Sequence, residues 1–396
     1  MKTQPEQNRA QTLKLMSSAC AGMFVFGIVM AILGAIMPSL FEKIQFNKSE
    51  AGDLFFAMNL AMLLMSLIFG PVVDRFGYKL FLILCAFLVA CSLFLFILAS
   101  NYTIILAAAI VLGFGGGGLN GGTNALTSDI HPEKRGSALN LLGIFFGFGA
   151  LSIPFLIGVM LEHIGLEYIL VLSILVSLVP LFLFLEFSFP KPKHGQGFPL
   201  RQISHILKDP VLWLCGVLLF FQSGNEFTLG GWISTYLHEF FGFTPKVASF
   251  ILAGYWAAIM GGRLMSSRIV KIWKNQTLVF LSALVSLAAA VLIVAAPSGF
   301  LAALGVVGIG LGFAAIFPTT LAVVGESFPR FSGTAFSFVF VIALLGGMTS
   351  PWLTGKIAHA ASLQQGLFIP VFNCSMIVIL QIAIIRILKR KRRPEF

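Results

Sequence analysis

The stretch "FFQSGNEFTL", residues 220–229, holds a glutamate far from any other charge. The nearest charged side chain before Glu226 is Asp209, and the nearest after it is Glu239. Gln222 stands one helical turn before the acid, and Asn225, Leu229, Trp232 and Tyr236 form an adjoining stripe. A carboxyl that is neutral when shielded and ionised when wet can take up and release a proton as its surroundings change. It can also stay ionised and hold a cationic substrate, or pair with a basic side chain for structure alone. The last reading lacks a partner in the sequence, because Arg263 falls near a predicted helix end and no other Lys or Arg is mid-span. The pair Gly230–Gly231 weakens the helix beside the acid, as in the broken helices that line transport sites. A tryptophan beside amides offers a flat apolar face with hydrogen-bonding edges, a composition suited to a sugar.

A second polar group lies in "VLGFGGGGLNGGTNALTSDI", residues 111–130. Asn120, Asn124 and Thr127 are spaced i, i+4, i+7 on one helix face, with Thr123 beside them and Asn140 following in the next apolar run. Amides inside a membrane must face another helix or a wet cavity. They also donate and accept at once, which a polyhydroxylated ligand needs. Asn59, Tyr255 with Trp256, Thr319 with Thr320 after Pro318, and Trp352 are further residues that could line such a site. Gly113, Gly115 and Gly118 fit G-x-G-x-x-G, but no βαβ unit surrounds them, so close helix packing is the expected role. No G-x-x-x-x-G-K-[ST] loop and no H-E-x-x-H occurs, so ATP-driven pumping and zinc proteolysis have no support. The five cysteines fall in apolar runs without metal or disulfide spacing, and no metal or cofactor is expected.

These groups need apolar elements to carry them. Hydrophobic residues make up 58% of the 396-residue chain and charged residues 10%, too apolar for a protein surrounded by water. Runs long enough for a helix to cross a ~30 Å hydrocarbon layer recur at 15–40, 51–73, 79–99, 103–128, 136–161, 167–187, 210–237, 246–266, 276–296, 300–325, 332–355 and 367–388. The fold class expected is an all-α membrane protein with twelve transmembrane helices in two six-helix pseudo-symmetric bundles. The first run is too long for a cleaved signal and reads as an uncleaved span. The net charge of +11 follows topology rather than nucleic acid: 21 of the 26 Lys and Arg residues fall on one side of the parse, together with both termini. Positive loops stay inside, so both termini are expected in the cytoplasm. The tail "KRKRRP", 389–394, then reads as a topology anchor touching anionic lipid.

Pro, Gly and charge gather in the stretch 188–209, which divides an N-terminal bundle, 1–187, from a C-terminal bundle with its basic tail, 210–396. The halves are related. A constant offset of 197 pairs Pro132 with Pro329, Gly136 with Gly333, Gly149 with Gly346 and Pro154 with Pro351. It also pairs Gly27 with Gly224 and Glu42 with Glu239. Internal repeats of this kind are typical of secondary transporters, in which two similar bundles rock around a midplane site.

The loop "GPVVDRFGYK", residues 70–79, resembles the G-x-x-x-D-R-x-G-[RK]-[RK] signature of the Major Facilitator Superfamily. Gly70, Asp74, Arg75, Gly77 and Lys79 match, and Tyr78 replaces the usual basic residue. Locally, Gly70 would let its helix approach a neighbour, Asp74 would accept from a helix N-terminus or pair with a base, and Gly77 would permit a tight turn. The resemblance implies that these residues form a conformational latch on the cytoplasmic side. A degenerate copy, "GGRLMSSRIVKIW" at 261–273, keeps Gly262, Arg263 and Arg268 without an acid.

A narrower resemblance, to the fucose–proton and glucose/galactose symporter branch, rests on "LNGGTN" followed by "ALNLLGIFFGFGA", where Asn124, Asn140, Gly149 and Ala150 match. Asn120 stands where the branch often has a glutamate, and the first span has no acid. "FQSGNEFTLGGWISTYL" is similar to the branch's acid-bearing segment. The resemblance implies a secondary active transporter, not an enzyme, moving a small polar solute, a sugar, by alternating access with proton coupling. Glu226 would couple the proton or hold substrate, and Asn120, Asn124, Asn140, Gln222, Asn225, Trp232, Asn59, Tyr255 and Thr319 would bind substrate. The expected partners are a small-molecule substrate, a proton with sodium as the alternative ion, and the lipid bilayer of the cell's inner membrane. No nucleic-acid partner is expected, and the expected state is monomeric. The competing readings are a proton-coupled exporter of drugs or organic cations and a non-transporting sensor on the same fold.

Overall fold

The computed structural model describes residues 4–131, 135–190, 208–270, 272–328 and 332–391. Most of the central linker, 191–207, and the tail 392–396 lie outside them. The elements are α1 (Gln4–Lys43), α2 (Lys48–Phe76), α3 (Tyr78–Leu98), α4 (Tyr102–Ile130) and a continuous run Arg135–Glu186. A run of 52 residues would be about 78 Å long at 1.5 Å per residue, too long for one crossing. It is divided at Gly165, whose φ of 76° only glycine takes up readily, into α5 (135–164) and α6 (166–186). The chain continues as α7 (Pro210–Phe241), α8 (Pro245–Ile269), α9 (Asn275–Ala295), α10 (Gly299–Ser327) and α11 (Ser332–Ala360). A single turn, Leu363–Gly366, precedes α12 (Phe368–Lys391).

Among the described residues, ten helices are long and apolar enough to cross a membrane by length and composition. Division at Gly165 makes one of these two, and α7 completes twelve. With 32 residues α7 is long enough to span, but its middle carries Gln222, Ser223, Asn225, Glu226 and Thr228. The protein is an all-α membrane protein of twelve helices.

Helix starts repeat at the offset seen in the sequence. Lys48 and Pro245, Tyr78 and Asn275, Tyr102 and Gly299, and Arg135 and Ser332 each open a helix 197 residues apart. The caps repeat with them. Asn101 accepts from the Ile104 amide at 3.1 Å, and Ser298 accepts from the Leu301 amide at 3.5 Å. Asn47 and Glu50 exchange reciprocal hydrogen bonds of 2.7 and 3.0 Å, a capping box, while Thr244 accepts from the Val247 amide at 3.4 Å.

The chain divides into two compact units: residues 1–46 with 57–196, and residues 47–56 with 197–396. In the first, α1 packs on α5 so closely that a Cβ on Gly149 would collide with the Phe24 carbonyl. The glycine run of α4 meets three helices: a Cβ on Gly113 would collide with the Met58 carbonyl of α2, one on Gly115 would lie 2.8 Å from the Cys85 carbonyl of α3, and one on Gly116 would lie 2.6 Å from the Val29 side chain of α1. That is the packing role expected of it. In the second unit α7 packs on α11, where a Cβ on Gly346 would collide with the Phe220 carbonyl.

The first turns of α2 belong to the second unit. Gly52 of α2 lies on the Trp352 carbonyl of α11, 2.9 Å from where its Cβ would be. Asp53 accepts from Trp352 Nε1 at 2.9 Å and pairs with Lys356 at 2.9 Å. Lys356 Nζ also donates to Ser49 Oγ at 2.7 Å, and Lys48 pairs with Glu239 at 2.6 Å.

Candidate functional site

The polar centre of the second unit is built on α7. Gln222 and Glu226 are one turn apart, and Gln222 Nε2 donates to Glu226 Oε1 at 2.9 Å. Gln222 and Asn225 are fully buried, whereas Glu226 keeps part of its surface open. Asn225 Nδ2 points to the Cys374 sulfur of α12 at 3.3 Å. From α8, the Tyr255 hydroxyl donates to the Glu226 main-chain carbonyl at 3.5 Å. Tyr255 is itself held edge-on between Trp256 and Phe313.

Several polar atoms here are buried without a hydrogen-bond partner: Gln222 Oε1, Asn225 Oδ1, Thr228 Oγ1 and, on α10, Thr320 Oγ1. Unsatisfied polar atoms are costly in a low-dielectric interior. Thr319 is buried on the same helix.

Trp232 and Arg263 differ from their sequence reading. Trp232 is fully buried, with its ring against Phe55 and its indole N–H donated to the Pro351 carbonyl at 3.0 Å. Its polar edge is therefore taken by α11. Arg263 lies near the end of the apolar span 245–266, as the sequence leads one to expect, and α8 continues to Ile269. Its charge and that of Glu226 act on one another, and both act on the Tyr255 hydroxyl. Glu226 thus has a basic neighbour, contrary to the expectation of none.

In the first unit the amides of α4 bond to each other. Asn124 Nδ2 donates to the main-chain and side-chain oxygens of Asn120, each at 2.9 Å. Both keep part of their surface open. Thr123 and Thr127 turn inward, to the sulfurs of Met23 and Met16 on α1. Asn59 is fully buried on α2. Asn140 lies on α5, and its side chain is outside the described residues.

The 70–79 loop joins α2 to α3. Gly77 has φ 83° and ψ 164°, a conformation essentially confined to glycine, and caps α3. Lys79 Nζ donates to the Leu185 carbonyl at 2.7 Å, a cation at the C-terminal end of α6. Tyr78, which replaces the usual base, donates to Asp129 at the end of α4, 2.8 Å away. Arg75 lies over the Phe76 ring. The side chain of Asp74 is outside the described residues. The close approach expected at Gly70 is not made: a Cβ there would meet nothing within 4 Å, because α2 stands clear of described neighbours at that turn.

Comparison with known proteins agrees with this architecture. The inner membrane transport protein YdiN of Escherichia coli is 25% identical over 85% of this chain and 81% of its own length. A glucose/galactose transporter of Brucella abortus is 23% identical over 88% of each chain. The crystal structure of a D-xylose–proton symporter superposes with a TM-score of 0.77 at 15% identity, covering 94% of this chain and 97% of that one. The Major Facilitator Superfamily model matches residues 19–351. The chain belongs to the Major Facilitator Superfamily, and it is a multi-pass membrane transporter rather than an enzyme.

Proposed function

We propose that the protein moves a small polyhydroxylated solute, a sugar, by alternating access coupled to a proton, with Glu226 as the group that carries the proton. The observation that supports this most is the setting of Glu226: a half-buried residue in the middle of an apolar helix, hydrogen-bonded to Gln222, with the unpartnered buried atoms Gln222 Oε1, Asn225 Oδ1 and Thr228 Oγ1 on the same helix. A carboxyl shielded from water holds a proton that it releases when water reaches it, which couples protonation to access. Within the second unit, Gln222, Asn225 and Thr319 are the groups proposed to meet hydroxyls; within the first, Asn120 and Asn124 are proposed as substrate-binding residues. The names of the Brucella transporter and the xylose symporter point to the same solute class.

The organic-cation reading is weaker, because Arg263 places a like charge near the acid that would have to hold the cation. The 70–79 loop is proposed as a latch on the cytoplasmic side, with both termini on that side of the inner membrane.

The test is uptake into vesicles reconstituted with purified protein. Glu226→Gln keeps an oxygen for Gln222 but cannot release a proton. It is expected to abolish accumulation driven by a pH gradient while counterflow exchange of the same sugar continues. Undiminished gradient-driven accumulation in this variant would remove Glu226 from the mechanism.

A further inference from the structure

Arg263 is given no contact with substrate in the reading above, and its position calls for a role. It lies within the apolar part of α8, 245–266, where a cation without a counter-charge is expensive and marks function by default. Its Nε is buried and has no hydrogen-bond partner. The charges of Glu226 and Arg263 act on one another, while the carboxylate is hydrogen-bonded to Gln222. On α7, α10 and α11 the other charged groups are occupied: Glu239 of α7 pairs with Lys48, Lys356 of α11 with Asp53, and Glu326 of α10 accepts from Asn275. Apart from Arg263, the titratable groups acting near the acid are Tyr255 of α8 and the Cys374 thiol of α12, both uncharged at neutral pH.

We propose that Arg263 receives a carboxylate on the substrate, so that the solute is an acidic sugar of the uronate or aldonate class and not a neutral hexose. The proposal rests on Glu226 as the proton carrier, and charge balance is its physical basis. With Glu226 ionised, the empty site holds one negative and one positive charge, and the carboxylate repels an incoming anion. Protonation of Glu226 leaves the guanidinium charge unopposed, and the planar fork of arginine suits a carboxylate. Site plus bound monocarboxylate is then neutral again. A neutral sugar would leave the loaded site with an uncompensated positive charge in a low-dielectric span. Gln222 Oε1 and Asn225 Oδ1 are acceptors without partners, matched to the hydroxyls of such a ligand.

The test uses the full chain in vesicles and in detergent, with D-glucuronate, D-galacturonate and D-gluconate set against D-glucose and D-galactose. An acidic sugar is expected to accumulate with the proton gradient and to be insensitive to an imposed membrane potential, since proton and anion cross together. The same acid is expected to raise the melting temperature of the purified protein at slightly acidic pH. Arg263→Gln should raise its KM at least tenfold and remove the thermal shift, while Arg263→Lys keeps a partial response. Binding in detergent keeps the test open if the variant transports poorly. Accumulation of neutral hexoses without acidic ones, or an unchanged KM in Arg263→Gln, overturns the proposal and leaves proton coupling through Glu226 standing. Continued proton-driven uptake in Glu226→Gln fails the earlier reading instead, and the thermal shift then judges Arg263 separately.

Discussion

Gly346 lies so near the Phe220 carbonyl that a side chain of one carbon has nowhere to go. The obstacle is main chain, so it cannot be relieved by turning a rotamer, and α7 would have to move away from α11. Gly346→Ala is therefore expected to destabilise the protein by about 1–3 kcal/mol, seen as a melting temperature several degrees lower in detergent. Gly143 is the control. Its Cβ would meet nothing within 4 Å, and a helical Gly→Ala change in open space should be neutral or slightly stabilising. If both substitutions shift the melting temperature equally, steric contact at Gly346 is not the cause. Trp232 gives a second lesson at this scale. Its type and its neighbours suggest a platform for a sugar, but its N–H is bonded to Pro351, 119 residues away. Spacing within one helix cannot reveal a partner on another.

Among elements, the twelve spans were legible because each needs a long apolar run, and the helix starts 197 residues apart were implied by the paired glycines and prolines. The pairing of Gln222 with Glu226 was legible too, since i and i+4 must meet on a helix. One feature was not. The sequence from Glu162 to Leu166 reads as a loop between spans, whereas the chain stays helical on both sides of a single glycine. Gly77 supplies the element-scale prediction. Its ψ of 164° at positive φ is strained for any residue with a Cβ, so Gly77→Ala should cost about 1–3 kcal/mol and lower the yield of folded protein. Equal yields of the variant and the parent, by fluorescence-detected size exclusion, would show that the turn tolerates a side chain.

At the scale of the whole molecule, the repeat supplies a scaffold and the chemistry breaks its symmetry. Glu226 corresponds at the offset to Val29, and Arg263 to Ser66, so neither charge has a copy in the first half. The proposed site, with one acid and one base in one half, can be tuned without disturbing glycines that both halves need. The placement of residues 47–56 bears on how the gene can be divided. The unit that ends the chain is completed by ten residues from near its beginning, through Gly52, Asp53 and the ion pair of Lys48 with Glu239. A fragment starting at residue 197 lacks a piece of its own fold, and a fragment ending at 196 carries that piece to spare. Produced alone, the later fragment should be degraded; produced together, the two should complement and co-purify through a tag on either one. Gly52→Leu in the earlier fragment should weaken that recovery severalfold, and complementation indifferent to Gly52 would mean that α2 does not join the pieces.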